Sequence, residues 1–119
     1  MANHNIYLKF DTSLKWSSKE DGNYTEVGPD SPNTPVNGTD TLSFIAVSGI
    51  DKLKKIADGK DGTKKMIKSI KGDDSLKIVA TIKDRTVKGE VDSYSISFKP
   101  SNGGGVISVD PKMQGQGQP

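Results

Sequence analysis

Very little in this chain can make or break covalent bonds. Cysteine is absent, and His4 is the only imidazole among 119 residues. Thiolate nucleophiles, thiolate zinc sites and disulfide scaffolds are therefore excluded, and one ring is all that remains for a catalytic triad or an imidazole metal centre. His4 reads as an exposed residue near the amino terminus rather than as a ligand. Neighbouring carboxylates occur at Asp73-Asp74 and at Lys19-Glu20-Asp21, but among glycine and lysine in expected turns. General acid–base work needs a carboxyl with a raised pKa in a dry pocket, which solvated turns do not provide. The run Asp58-Gly59-Lys60-Asp61-Gly62 has the outline of a calcium loop. Lys60 stands where an oxygen ligand is required, and Ser69 where the closing glutamate belongs, so the run reads as a plain turn. Gly103-Gly104-Gly105 precedes neither a helix start nor a Gly-Lys-Ser/Thr, which makes it a hairpin loop and not a phosphate cradle. No catalytic, metal-binding or cofactor-binding residue is assigned, and the chain reads as a non-enzyme.

Three sets of residues could bind rather than react. Trp16 and Tyr24, with Asn33 and Asn37 in a Pro/Asn-rich loop over 24–39, could form a lectin-like platform. An indole face stacks on a pyranose ring while amides bond its hydroxyls; the plainer reading is a Trp16 that plugs the core or an interface. Eight lysines and three aspartates fall between residues 51 and 71, and Lys52, Lys54, Lys55, Lys64, Lys65 and Lys68 could meet an anionic surface. Lysine is a solvated point charge, so a solvated face or a guarded sheet edge is the first reading of that run. The net charge of +2 is too mild to mark a nucleic-acid binder. Last, Asp110, Pro111, Met113 and Gln114 lead into Gln-Gly-Gln-Gly-Gln-Pro at 114–119, which has no side chain able to build a core. A segment of that kind is disordered unless it docks, and a sister molecule is the expected holder.

The elements that must carry these residues are strands. Ten Ile, eight Val and eight Thr against five Leu give a β-branched bias. Segment 5–10 alternates, with Ile6, Leu8 and Phe10 on one face, and Leu14 and Trp16 continue the rhythm. Segment 40–47 is apolar on both faces, which predicts an interior place in a sheet. Leu76, Ile78, Ala80 and Ile82 alternate with Lys77, Val79, Thr81 and Lys83. Tyr94, Ile96 and Phe98 alternate with serines, and 106–109 returns as a hairpin partner. Residues 50–71 admit two readings. Ile50, Leu53 and Ile56 share a helical face, whereas Asp58 to Gly62 also reads as a loop between lysine-edged strands. The preferred combination is a short helix near 51–57 and a strand near 64–71.

The carboxy-terminal rhythm Tyr94-x-Ile96-x-Phe98, a turn, then Ile107-Ser108-Val109-Asp110-Pro111 resembles the final hairpin of bacterial inclusion-body proteins of the AidA/PixA type. Phe10-Asp11-Thr12 and Gly38-Thr39-Asp40-Thr41-Leu42-Ser43-Phe44 fit the same likeness. The resemblance implies a cytoplasmic β-sandwich that accumulates or self-associates, without catalytic residues.

The expected architecture is an all-β, antiparallel two-sheet sandwich, Ig-like or jelly-roll-like, of about seven short strands in one domain over 1–113, followed by a polar tail over 114–119. The start Met-Ala-Asn-His-Asn has no cationic segment leading into an apolar one, and no apolar run is long enough for a membrane span. A cytoplasmic, self-associating structural or interaction protein is the leading expectation. Carbohydrate binding and anionic-surface binding are the alternatives, and nucleic acid is not an expected partner.

Overall fold

A computed structural model of the chain describes residues 1–117. The fold is all-β, with twelve strands among the described residues: β1 (Asn3–Phe10), β2 (Leu14–Ser17), β3 (Thr25–Glu26), β4 (Asn33–Val36), β5 (Thr41–Ser48), β6 (Ile50–Ala57), β7 (Ile67–Lys71), β8 (Lys77–Ile82), β9 (Val91–Ser93), β10 (Ser95–Pro100), β11 (Ile107–Val109) and β12 (Lys112–Gly115). They form three sheets, a six-stranded one in the order β3-β2-β1-β5-β8-β7 and two three-stranded ones, β11-β10-β6 and β4-β12-β9. The pairing is mixed and not purely antiparallel: β1 runs parallel to β5, and β12 runs parallel to β4. Each parallel pair joins strands far apart in the chain, so no short turn signal announces it.

One core serves all three sheets. Ile6, Leu8, Leu42, Phe44, Ile78, Ala80 and Ile82 supply the inner face of the large sheet; Leu53, Ile56, Ile96 and Phe98 come from the second sheet, and Val36 and Met113 from the third. Phe44 meets Tyr94 edge-on at 5.7 Å between ring centroids, and Phe10 meets Phe98 at 5.2 Å. β5 lies between β1 and β8, as its two apolar faces predict.

The helix expected near 51–57 is strand β6. Its pairing with β10 slips twice, so that Lys52 and Ile50 face the consecutive residues Lys99 and Pro100, and Lys55 and Leu53 face Ser97 and Phe98. Each slip inserts one extra residue, Asp51 or Lys54, and a β-bulge of this kind resets the alternation. Ile50, Leu53 and Ile56 thus keep a three-residue spacing and still point inward, all buried. The helical spacing is produced by a doubly bulged strand. The run at 58–62 is a loop, with a 3-10 turn at Lys60–Gly62.

Two further expectations change. The 24–39 segment is not wholly loop, because β3 pairs with β2 and β4 pairs with β12. The polar tail does not begin at 114. Gln114 and Gly115 belong to β12, which lies between β4 and β9. Residues 118 and 119 of the expected tail lie outside the described residues.

Candidate functional site

Trp16 is held by three layers of structure. It pairs with Leu8 in the β1–β2 ladder, so both side chains share the inner face of the large sheet. Leu8 is fully buried, while Trp16, nearer the sheet margin, is only half-buried and packs against the core from the side. Its Nε1–H donates to Ser31 Oγ at 2.9 Å, which fixes the ring against the loop preceding β4.

Between the β1–β2 margin and that loop runs a groove of about 400 Å³. Trp16, His4 and Asn33 line it together with Asn3, Asn5 and the prolines Pro32 and Pro35. Two of the four predicted platform residues, Trp16 and Asn33, therefore meet. Asn33 Nδ2 donates to Gln114 Oε1 at 3.2 Å, so the amide is steadied by β12 with its carbonyl oxygen left to accept. Asn3 and Asn5 are linked at 2.7 Å, and Asn3 Oδ1 accepts from the hydroxyls of Thr41 and Ser43 on the neighbouring strand.

The other two platform residues do not join them. Thr25 pairs with Trp16 and shares its face; Tyr24, one residue earlier, is on the opposite face. There Lys9 Nζ sits 4.4 Å from the Tyr24 ring centroid, beside a second cleft of about 300 Å³ with Phe10, Asp11, Lys15 and Ser48. The Tyr24 hydroxyl donates to the Glu20 carbonyl, and desolvation with nearby acidic groups raises its pKa. Asn37 works through its backbone, whose N–H donates to Asp40 Oδ2 at 2.9 Å.

Asp40 is the residue that sequence reasoning missed. It is buried, and its Oδ2 lies 2.9 Å from His4 Nε2 while its Oδ1 accepts the Ala2 N–H at 2.9 Å. Burial alone would raise its pKa; the bonds from His4, Asn37 and Ala2 outweigh burial and hold the carboxyl below its ordinary value. The turn delivering Asp40 contains Thr39 at φ 68, a left-handed conformation rare for a β-branched residue. His4 is accordingly not a loose terminal side chain but a half-buried, oriented wall of the groove. Among the described residues no hydroxyl is hydrogen-bonded to its other ring nitrogen.

A second buried carboxylate, Asp92, is fully enclosed. It accepts the Gly59 N–H at 2.7 Å and the Met66 N–H at 2.9 Å, pinning the 58–66 loop onto β9. Burial raises its pKa, and Asp58 adds to that, against the two N–H bonds. The alternation that turns Tyr94 inward turns Asp92 inward too, which was the available signal.

The lysine run is divided. Lys52, Lys54 and Lys55 are on β6, Lys68 is on β7 in another sheet, and Lys64 and Lys65 precede β7. Lys54 pairs with Asp74 at 2.6 Å and Lys68 with Asp84 at 3.1 Å. Near the carboxy terminus, Pro111 and Met113 are buried in their own molecule, Gln114 is half-buried in β12, and Asp110 is exposed.

No protein-family model matches the chain, and no curated protein matches it by sequence. The likeness to the inclusion-body proteins rests on sequence rhythm alone. Among the described residues no helix is long and apolar enough to cross a membrane, and no cluster of metal-ligating side chains occurs.

Proposed function

We propose that the chain is a non-catalytic binding module whose Trp16 groove takes a neutral, polyhydroxylated small ligand of the carbohydrate class. The supporting observation is the meeting of one half-buried indole with His4 and Asn33 in a single concave groove. An aromatic face supplies apolar contact to the C–H side of a sugar ring, and amide and imidazole groups bond its hydroxyls. The one carboxylate beside the groove is buried and already takes three hydrogen bonds, so a neutral ligand suits it better than an ion. In this reading the two small sheets act as one layer facing the large sheet, and β4 with its preceding loop forms the lip that makes the groove concave. A cytoplasmic setting is part of this reading.

Gln114 and Gly115, expected at the start of a loose polar tail, are instead part of a strand of the chain's own third sheet. Glycan-array screening followed by Trp16 fluorescence titration tests the ligand reading. Trp16 is the only tryptophan, so the signal is unambiguous. A saturable change with one glycan class, lost in Asn33→Ala, is expected; silence in both assays removes the proposal.

A further inference from the structure

Three sheets have six outer edges, and their protection is unequal. On β6, Leu53 exchanges backbone bonds with Ser75, Asp74 N–H donates to the Lys54 carbonyl, and three lysines flank the strand. On β9, Lys64 N–H donates to the Val91 carbonyl, and Ser93 N–H donates to Thr63 Oγ1. β7 carries Lys68 and Lys71, and its Ile67 N–H is taken by Asp58. β4 contains Pro35, which has no N–H to offer, and β3 is only two residues long and carries Glu26. Lysine, proline, brevity and cover are the ordinary means of blocking strand addition.

β11 has none of these apart from its shortness. Among the described residues, no backbone hydrogen bond beyond those to β10 involves Ile107, Ser108 or Val109. From Gly103 to Val109 no residue is charged and none is proline. Ile107 and Val109 pack against the core yet remain only half-buried, and Val106 beside them is 57% exposed.

We propose that β11 is a homodimer edge, pairing antiparallel with β11 of a second copy about a twofold axis at Ser108. A second copy is the fitting occupant because the edge is self-complementary. Centred on Ser108, Ile107 of each chain faces Val109 of the other, a β-branched cross-strand pair that covers the apolar surface left open in the monomer. Ser108 faces its own counterpart without charge repulsion, and the two three-stranded sheets become one continuous six-stranded sheet. The short edge sets a weak equilibrium, with dissociation in a range of roughly 10–100 μM.

Sedimentation equilibrium of the full chain from a few micromolar to several hundred micromolar tests this. The average mass is expected to rise from 12.8 kDa towards twice that value. Ser108→Lys, which faces its own counterpart, and Val106→Asp, which faces Asp110 of the other copy, each checked for an unchanged circular dichroism spectrum, are expected to hold the chain monomeric through like-charge repulsion. In a chain without cysteine, Ser108→Cys gives an independent readout. Antiparallel partners at the twofold axis place their Cα atoms about 4.5–5.5 Å apart, within disulfide range. Ser108→Cys is expected to cross-link at least tenfold faster than Lys99→Cys on the exposed face of β10. A single mass of 12.8 kDa throughout, or equal cross-linking of the two cysteine variants, overturns the proposal. The glycan titration is unaffected by either outcome, so the ligand reading and the dimer fail separately.

Discussion

His4 Nε2 and Asp40 Oδ2 stand 2.9 Å apart, joining the first strand to the turn that opens β5. The same carboxylate takes the Ala2 and Asn37 N–H groups, so one buried side chain ties together the start of the chain, the turn after β4 and the wall of the groove. Asp40→Ala leaves those donors without a partner inside the protein. A loss of about 2–4 kcal/mol is expected in urea denaturation, against about 1 kcal/mol for His4→Ala, which leaves the two backbone bonds in place.

The two buried carboxylates bias the acid response in opposite directions. Asp40 has a folded pKa below its unfolded 3.8, so its stabilisation is complete above that value and disappears as pH falls through the folded pKa. Asp92 has a folded pKa above 3.8, so the folded state holds its proton more tightly. Its contribution is complete below pH 3.8 and declines as pH rises from there through the folded pKa. Unfolding free energy measured between pH 3 and 7 is expected to decline less with rising pH in Asp92→Asn than in the parent, and to depend less on acid below pH 4 in Asp40→Asn. An unchanged profile in Asp92→Asn contradicts the assignment.

Tyr94 is fully buried, and its hydroxyl has no hydrogen-bond partner among the described residues. Desolvation drives its pKa upward, so it stays neutral in the fold. Removing an unsatisfied buried hydroxyl relieves a desolvation penalty of about 1–3 kcal/mol while the ring keeps its edge contact with Phe44. Tyr94→Phe is expected to raise the urea midpoint without changing the denaturant slope.

Gly49 makes the tight turn from β5 to β6 at φ 75, and a Cβ there would collide with the Phe10 carbonyl oxygen. Both the backbone conformation and the missing space forbid a side chain. Gly49→Ala is expected to cost at least about 2 kcal/mol, measured by thermal or urea unfolding, and to perturb the Phe10–Phe98 contact.

Residue types and period-two alternation were enough to define an all-β chain, the inward faces of β1, β5, β8 and β10, and the closing β10–β11 hairpin, because these rest on local geometry. They also singled out Trp16 and Asn33. The helix expected near 51–57 failed because two bulges in β6 convert alternation into a three-residue spacing, and bulges are fixed by the partner strand β10. Tertiary pairing alone decided that β1 and β4 have parallel neighbours, that Gln114 lies in a sheet, and that Tyr24 and Trp16 occupy opposite faces. His4 and Asp40 are 36 residues apart, and their meeting depends on the β1–β5 register. Local sequence encodes which way a side chain points from its own strand; which strand lies alongside is determined by the packing of the whole core.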